Sequence, residues 1–264
     1  MKALIITVAG TATRFNKDTS RDTLKCLYFQ ENPRYSLLYQ ILDKARSLDK
    51  YIIVGGYLFE ELSAFINCNL QEFKDKIELV YNSHYEDYGS GYSLIKGIEA
   101  VSSECDEVIF VEGDLFYDGG SFEQVISSNN NVIRANREFI TSRKSVVLYV
   151  DMNGHIHYLY DTKHLSLEIA EPFQAIYNSA QIWKFLSVER LSGVIRNLTP
   201  TQIRGTNLEI IQGYFGSLPL DTMQFVPVDT LYNCNTVSDY NIVYSLIKQH
   251  EINKLEIGFA TGQN

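Results

Sequence analysis

The sequence has no apolar run long enough to cross a membrane, which takes roughly 18 consecutive apolar residues. Its N-terminal apolar run, residues 3–9, is too short and too soon interrupted for a signal peptide. We therefore expect a soluble, cytoplasmic protein that is not secreted and has no membrane partner.

Cysteine and positive charge are both scarce. The four cysteines lie far apart and form no C-x-x-C pair, which suggests neither a zinc site nor a disulfide framework. The 23 Lys and Arg residues against 32 Asp and Glu give a formal net charge of −9. Because such a balance opposes non-specific binding to nucleic acid, we expect no nucleic-acid partner. A polyphosphate ligand must then meet a local cluster of Lys and Arg plus a metal.

The 264 residues have an ordinary globular composition and predict one α/β domain over residues 1–264. Residues 1–131 alternate strands with helices, beginning with an apolar run at 2–9 that is typical of a strand buried on both faces of a parallel sheet. The further predicted strands are 50–56, 76–81 and 107–111, and the helices are 36–47, 58–65 and 93–101.

Residues 132–264 begin with a different pattern. Short alternating runs at 145–150 and 155–160, joined by a hairpin turn, predict a mixed or antiparallel extension at one end of the sheet. Helical patterning returns at residues 183–190, 207–215 and 237–248.

The loop after the first strand, residues 9–15 (AGTATRF), has the composition of a phosphate-binding loop. Its small residues allow backbone amides to approach phosphate oxygens, while Arg14 can bind them through its fork and Lys25 as a mobile charge. Taken alone, the segment is equally compatible with a polar surface loop. It contains neither the G-x-G-x-x-G dinucleotide motif nor a P-loop.

Two carboxylates follow the fourth predicted strand at Glu112-Gly113-Asp114. Magnesium prefers oxygen ligands and often takes one or two carboxylates, with phosphates and water completing its octahedron. Asp114 is therefore the first candidate metal ligand, the alternative being a helix cap or turn former.

A third segment, residues 82–94 (NSHYEDYGSGYSL), places small residues at a predicted helix start. Free amides and the positive dipole end of a helix suit a base edge, ribose or phosphate. The alternative is a glycine turn with a serine cap. The nucleotide-binding candidates here are Asn82, Ser90, Gly91 and Ser93.

Residues 9–15, followed by Leu24-Lys25, resemble the start of the nucleotidyltransferases that activate sugar phosphates and choline phosphate, with the pattern A-G-x-G-[ST]-R-[FL] and then P-K. Asp114-Leu115-Phe116 and Tyr92-Ser93-Leu94 look like the branch of choline-phosphate and phosphoglutamine cytidylyltransferases. The resemblance implies a Rossmann-like fold with a central, mostly parallel sheet flanked by helices and a smaller mixed or antiparallel extension.

The resemblance also implies an activity: transfer of CMP from CTP to a small phosphorylated acceptor, with Mg²⁺ and release of pyrophosphate, in decorating a bacterial surface polysaccharide. Arg14 and Lys25 would be catalytic, and Asp114 would hold the metal. The nucleotide-binding positions would be Val8, Ala9, Gly10, Thr11, Ala12, Thr13, Asn82, Ser90, Gly91, Ser93 and Glu112.

The sequence departs from the family pattern near both ends. Ala12 replaces the second glycine and Leu24 the proline, so we expect a locally different loop at a position of positive φ. The family's E-I-D-T-x-E-D segment, aligned on Thr236 and Asp239, puts Asn235 where the second metal-binding Asp belongs. Either the metal is then held more weakly and depends more on the nucleotide, or Asp229 or Glu112 substitutes.

The relatives build their acceptor site in the mixed-sheet part, where Glu171, Tyr177 and Lys144 are the candidates for acceptor binding. Two other functions remain open, a sugar-1-phosphate nucleotidyltransferase that uses UTP or another triphosphate, and a non-catalytic nucleotide-binding regulator. The acceptor and the oligomeric state are not readable from the sequence.

Overall fold

The computed structural model describes residues 1–161, 163 and 165–261, with side chains to residue 252. Its strands are β1 (Lys2–Thr7), β2 (Lys50–Gly55), β3 (Ile77–Tyr81), β4 (Glu107–Glu112), β5 (Leu115–Tyr117), β6 (Asn131–Asn136), β7 (Val147–Asp151), β8 (Ile156–Leu159), β9 (Phe173–Phe185), β10 (Met223–Pro227) and β11 (Leu231–Asn233).

The α-helices are α1 (Thr13–Asn16), α2 (Leu37–Lys44), α3 (Phe59–Asn69), α4 (Ser90–Glu99), α5 (Gly119–Ser127), α6 (Val188–Arg196), α7 (Pro200–Ile203), α8 (Leu208–Phe215) and α9 (Val237–Thr261). Among the helices of the described residues, none combines the length and apolar character that crossing a bilayer requires.

The main sheet has the strand order β10-β6-β9-β4-β1-β2-β3. Strands β1 to β4 are mutually parallel, whereas β9 runs antiparallel between β4 and β6. This largely parallel sheet with helices and added antiparallel strands confirms the predicted fold class.

Apolar residues cover both faces of the sheet because successive strand side chains point to opposite sides. Leu4 and Ile6 of β1 face one core, with α2, α3 and α5, while Ala3 and Ile5 face the other, with α4, α6 and α8. The continuous apolar run of β1 is therefore required by burial on both sides.

Strand β9 joins the main sheet to the antiparallel extension formed with β7 and β8. The last residues of β9 pair antiparallel with β4, and Ile182 lies opposite Val111. The first half of β9 therefore extends beyond the carboxyl end of β4. There it pairs with β7, which in turn pairs with β8. The two parts meet at an irregularity where Gln181 has a φ of 56°.

The helix predicted over residues 183–190 is wrong in its first half. Trp183 and Phe185 alternate with Ile182 and Lys184 as the last residues of β9, which requires the two-residue period of a strand. Helix α6 starts only at Val188. Ser187 is the N-cap of this helix, and its side chain accepts a hydrogen bond from the Arg190 amide.

Candidate active site

The loop after β1 leaves the sheet at the carboxyl edge, beside β2 and β4. Val8 and Ala9 are still buried, the Val8 amide donating 2.8 Å to the Val54 carbonyl. At Gly10, no heavy atom of the described residues beyond its chain neighbours lies within 4 Å of where a Cβ would stand. Packing inside the protein therefore does not require glycine there, and the open space leaves the backbone accessible to a ligand.

Ala12 adopts a left-handed backbone conformation, with φ 51° and ψ 32°. The carbonyl of Ala12 accepts from the Asn16 amide at 2.9 Å as α1 begins. Ala12 therefore occupies the positive-φ region that glycine reaches most easily, at the position where the family pattern has its second glycine.

Lys25, Asp114, Asn235 and Arg14 form one cluster, the Lys25–Asp114 cluster. Lys25 Nζ lies 2.6 Å from Asp114 Oδ2 and 3.2 Å from Asn235 Oδ1. Arg14 Nη2 donates to the same Asn235 oxygen at 2.9 Å. Two predicted cations and two predicted metal ligands from distant parts of the chain thus meet at one point.

Short local bonds hold Asn235 in this position. The Asp239 carboxylate accepts from the backbone amides of Asn235 and Thr236 at 3.0 and 2.8 Å, where α9 begins. Asn235 Nδ2 donates to Asn233 Oδ1 at 2.8 Å, and this bond turns the Oδ1 of Asn235 toward the cluster. The Cys234 amide donates 2.8 Å to the Asp114 carbonyl and ties the two segments together.

The donor set of the cluster fits Mg²⁺. Asp114 Oδ1 is buried and has no hydrogen-bond partner among the described residues, so it is an acceptor available to a cation. Those residues contain no group of three or more His, Cys, Asp or Glu side chains that could hold a metal ion. One carboxylate and one amide oxygen suit a cation that keeps several waters and binds substrate phosphates.

The two substitutes considered for Asn235 lie in different places. The amide of Asp229 donates 3.1 Å to Asp118 Oδ2, and its charge acts on Arg134, so it belongs to another cluster. Glu112 lies beside Asp114. Burial, and next the charge of Asp114, raise the pKa of Glu112 to about 7.

The start of α4 is closed off by the segment between α7 and α8. The amides of Gly89 and Gly91 donate to the carbonyls of Arg204 and Gly205 at 2.9 and 3.2 Å. A Cβ on Gly91 would stand 2.7 Å from the Thr206 carbonyl oxygen. The free amide predicted at Gly91 is therefore already bonded within the protein, and close packing accounts for this glycine.

Asn82 and Ser93 bind each other at the same place. Asn82 Nδ2 donates to Ser93 Oγ at 2.9 Å, and Asn82 Oδ1 accepts from the His84 amide at 2.8 Å. These bonds fix the surface that the two residues present to the neighbouring cavity.

A cavity of about 310 Å³ joins these elements at the carboxyl ends of β1 and β4. The predicted site residues in its lining are Val8, Ala9, Gly10, Thr11, Lys25, Asn82, Ser90, Ser93, Glu112 and Asp114. Those outside the lining are Ala12, Thr13, Arg14, Gly91 and Asn235. Of these, Arg14 and Asn235 reach the site through the Lys25–Asp114 cluster.

The three acceptor candidates do not line this cavity. Tyr177, on β9, stacks on Phe225 at 4.8 Å between ring centroids and packs against the core. Glu171 accepts from the Tyr149 hydroxyl at 2.8 Å, and Lys144 is exposed in the turn before β7. All three lie in or near the antiparallel extension.

Sequence reasoning misses several residues of the site. Asn207 Nδ2 donates to Glu112 Oε1 at 2.5 Å, and Tyr85 and Tyr88 line the cavity. Burial, and next the charge of Glu112, raise the pKa of Tyr160. The tyrosines at 85 and 88 fall inside the segment already singled out. Asn207 has no sequence signal, because it lies just before α8 and its partner Glu112 is 95 residues away at the end of β4.

Solved structures share this fold. A protein assigned as a glucose-1-phosphate thymidylyltransferase from Bacillus anthracis aligns with a TM-score of 0.68 and 16% identity, over 93% of this chain and 95% of that one. The inositol-1-phosphate CTP transferase from T. maritima aligns with a TM-score of 0.66 and 12% identity, over 94% and 96% of the two chains. At such identities the likeness shows the fold alone.

Sequence comparison gives the family. No curated protein matches the chain. A family described as a domain of unknown function, DUF6564, matches residues 21–247. Because that match spans most of the sequence, the chain belongs to this family.

Proposed function

We propose that this protein is a nucleotidyltransferase that moves a nucleoside monophosphate, CMP by our sequence interpretation, onto the phosphate of a small acceptor. The Lys25–Asp114 cluster carries the proposal: Lys25 and Arg14 converge on two candidate metal ligands beside an open loop and a cavity. The two structural neighbours add support, since both are named for nucleotidyl transfer to a phosphorylated small molecule.

The reaction would be an in-line displacement. An oxygen of the acceptor phosphate forms a bond to the α-phosphorus, and the bond from that phosphorus to the bridging oxygen of pyrophosphate breaks. The acceptor phosphate is already ionised at neutral pH, so no side chain has to remove a proton. Catalysis of this kind depends on positioning and on neutralising charge.

The residues of the cluster divide these tasks. Arg14 would bind the β- and γ-phosphates through its planar fork. Lys25 would neutralise the charge that the α-phosphate shares with the acceptor. Asp114 and Asn235 would hold Mg²⁺, which when bound neutralises charge on the nucleotide oxygens.

Substitution of Lys25 tests the catalytic part. We expect Lys25→Ala to lower kcat by roughly 10²-fold or more, the scale seen when one preorganised electrostatic contact is removed. Lys17→Ala is the matched control, because Lys17 is an exposed lysine in the same loop region. Unchanged turnover in Lys25→Ala would remove Lys25 from the mechanism.

A pyrophosphate-release screen tests the substrates. CTP, UTP, dTTP, ATP and GTP would each be paired with phosphocholine, phosphorylated amino-acid amides, inositol 1-phosphate and sugar 1-phosphates. Release with CTP and a non-sugar acceptor supports the proposed transfer of CMP to a small phosphorylated acceptor. Release with a sugar 1-phosphate favours the second candidate, consistent with the thymidylyltransferase neighbour. Nucleotide binding without release in any pair would indicate a regulator instead.

A further inference from the structure

The ammonium group of Lys25 lies between the two proposed metal ligands. It contacts an oxygen of each proposed metal ligand, Asp114 at 2.6 Å and Asn235 at 3.2 Å. A magnesium ion would bind these oxygens at about 2.1 Å. The ammonium group and a metal ion that binds these same two oxygens cannot share the space between them.

The charges of the cluster do not favour the metal either. Arg14 adds a second positive charge at 2.9 Å from Asn235 Oδ1. Both cations contact Asn235, which is itself neutral, so of the two proposed metal ligands Asp114 alone carries a negative charge. A dication that approaches these two ligands therefore also meets the positive charges of Lys25 and Arg14 at contact distance.

We propose that Lys25 is an internal competitor for the divalent cation in the nucleotide-free protein. It pairs with Asp114 and Asn235 and keeps the metal out. An entering triphosphate offers Lys25 and Arg14 new partners and brings negative charge, so metal and nucleotide bind together. This inference rests on the proposed function for the identity of the triphosphate, and on the cluster alone for the competition.

The local structure lets Lys25 move without unfolding. Its backbone lies in a 3-10 turn, Lys25–Leu27, that is anchored by the buried side chains of Cys26 and Leu27. The lysine side chain itself is 24% exposed and has a flexible four-carbon stem. The ammonium group can therefore leave the cluster while the turn stays in place.

Mn²⁺ binding to the nucleotide-free protein tests the competition without any turnover. Mn²⁺ takes the same oxygen ligands as Mg²⁺, and its free ion is counted by electron paramagnetic resonance. We expect Lys25→Met to tighten Mn²⁺ binding by about tenfold or more over wild type, because it frees Asp114 Oδ2 and removes a charge at contact distance from both proposed ligands.

Arg14→Met is the matched control. It removes the same single charge from the cluster, but Arg14 touches Asn235 and not Asp114. We expect it to change Mn²⁺ affinity by less than about threefold, since Lys25 still pairs with both oxygens. Equal effects of the two substitutions would mean that overall charge governs the metal, and this would overturn the proposal, as would unchanged affinity in Lys25→Met.

A folding control keeps the result interpretable. Melting temperatures of the variants would be measured first, and Lys25→Ala, which also removes the contact to Asp114, replaces Lys25→Met if the latter melts early. If the protein releases no pyrophosphate with any substrate pair but shows the Lys25→Met effect, the proposed activity fails and the competition stands. If it releases pyrophosphate without that effect, the activity stands and the competition fails.

Discussion

Ala12 holds a conformation that costs an L-amino acid energy. Its φ of 51° and ψ of 32° lie in the left-handed region, where a Cβ approaches the following carbonyl oxygen and costs roughly 1–2 kcal/mol. The neighbouring Gly10 leaves room for a ligand, and Ala12 then turns the chain into α1. Because alanine rarely adopts this geometry, the surrounding loop must impose it.

Replacing Ala12 with glycine measures that strain. We expect Ala12→Gly to leave the free energy of unfolding unchanged or to raise it by up to about 1 kcal/mol, because relief of strain exceeds or offsets the added freedom of the unfolded chain. Ala64→Gly, at an exposed position inside α3, is the control and should lower it by about 1 kcal/mol. If urea denaturation shows that Ala12→Gly and Ala64→Gly lower the free energy of unfolding equally, the left-handed conformation of Ala12 is contradicted.

At the scale of elements, Asp118 connects three segments near the site. Its carboxylate caps α5 by accepting from the Ser121 amide at 2.6 Å and also accepts from the amides of Asp229 and Thr230. It lies 3.5 Å from the buried Arg134 of β6, which also donates to the Ser121 hydroxyl. The chain that follows residue 230 forms β11 and leads to Asn235.

Removal of the Asp118 carboxylate should therefore cost far more than an ordinary cap. We expect Asp118→Ala to lower the free energy of unfolding by about 3 kcal/mol or more, because it leaves the buried Arg134 charge without its ion-pair partner. Ser187→Ala removes the cap of α6 alone and should cost about 1 kcal/mol. Chemical denaturation compares them, and similar losses would show that the Arg134 contact contributes little.

The sequence predicts an element well when neighbouring residues determine its structure, and poorly when pairing with distant segments determines it. Strand β1 is readable because burial on both faces demands a continuous apolar run. Strand β9 is not, because its 13 residues include polar positions and an irregularity at Gln181, and because its first and second halves pair with different strands. The apolar residues at 183–185 consequently fit a helical pattern in the sequence although they form a strand.

The same distinction applies to the site. Lys25 and Asp114 could be found because they follow strands whose carboxyl ends meet at one edge of the sheet. Asn207 could not, since its bond to Glu112 spans 95 residues and depends on how the segment after α7 packs. That packing also occupies the Gly91 amide, which local sequence would leave free.

At the scale of the whole molecule, the four cysteines differ in their exposure to solvent. Cys68 is exposed, whereas Cys26, Cys105 and Cys234 are buried. Burial raises the pKa of both Cys26 and Cys234, which flank the Lys25–Asp114 cluster, to about 12. The thiolate is the form that reacts with thiol reagents. Cys26 and Cys234 should therefore react slowly, because burial limits access to them and keeps them protonated.

We therefore expect one thiol per chain to react rapidly with Ellman's reagent in the native state and the other three only after unfolding. Cys68→Ser should abolish the rapid phase and leave the thermal transition unchanged. Rapid labelling in that variant would show that the interior around the cluster opens readily, contrary to the packing described.

The Lys25–Asp114 cluster also bears on the order of folding. Arg14 and Asn235 are 221 residues apart in the chain, and Lys25 and Asn235 are 210 apart. Contacts of such separation cost a large loop-closure entropy before they contribute any stabilisation, and they tend to form late. The strands around the buried Trp183 can pair without residue 235, so tryptophan fluorescence should follow formation of the sheet. The Arg14–Asn235 contact instead marks the arrival of the last segment, and a refolding chain should recover its fluorescence before its site.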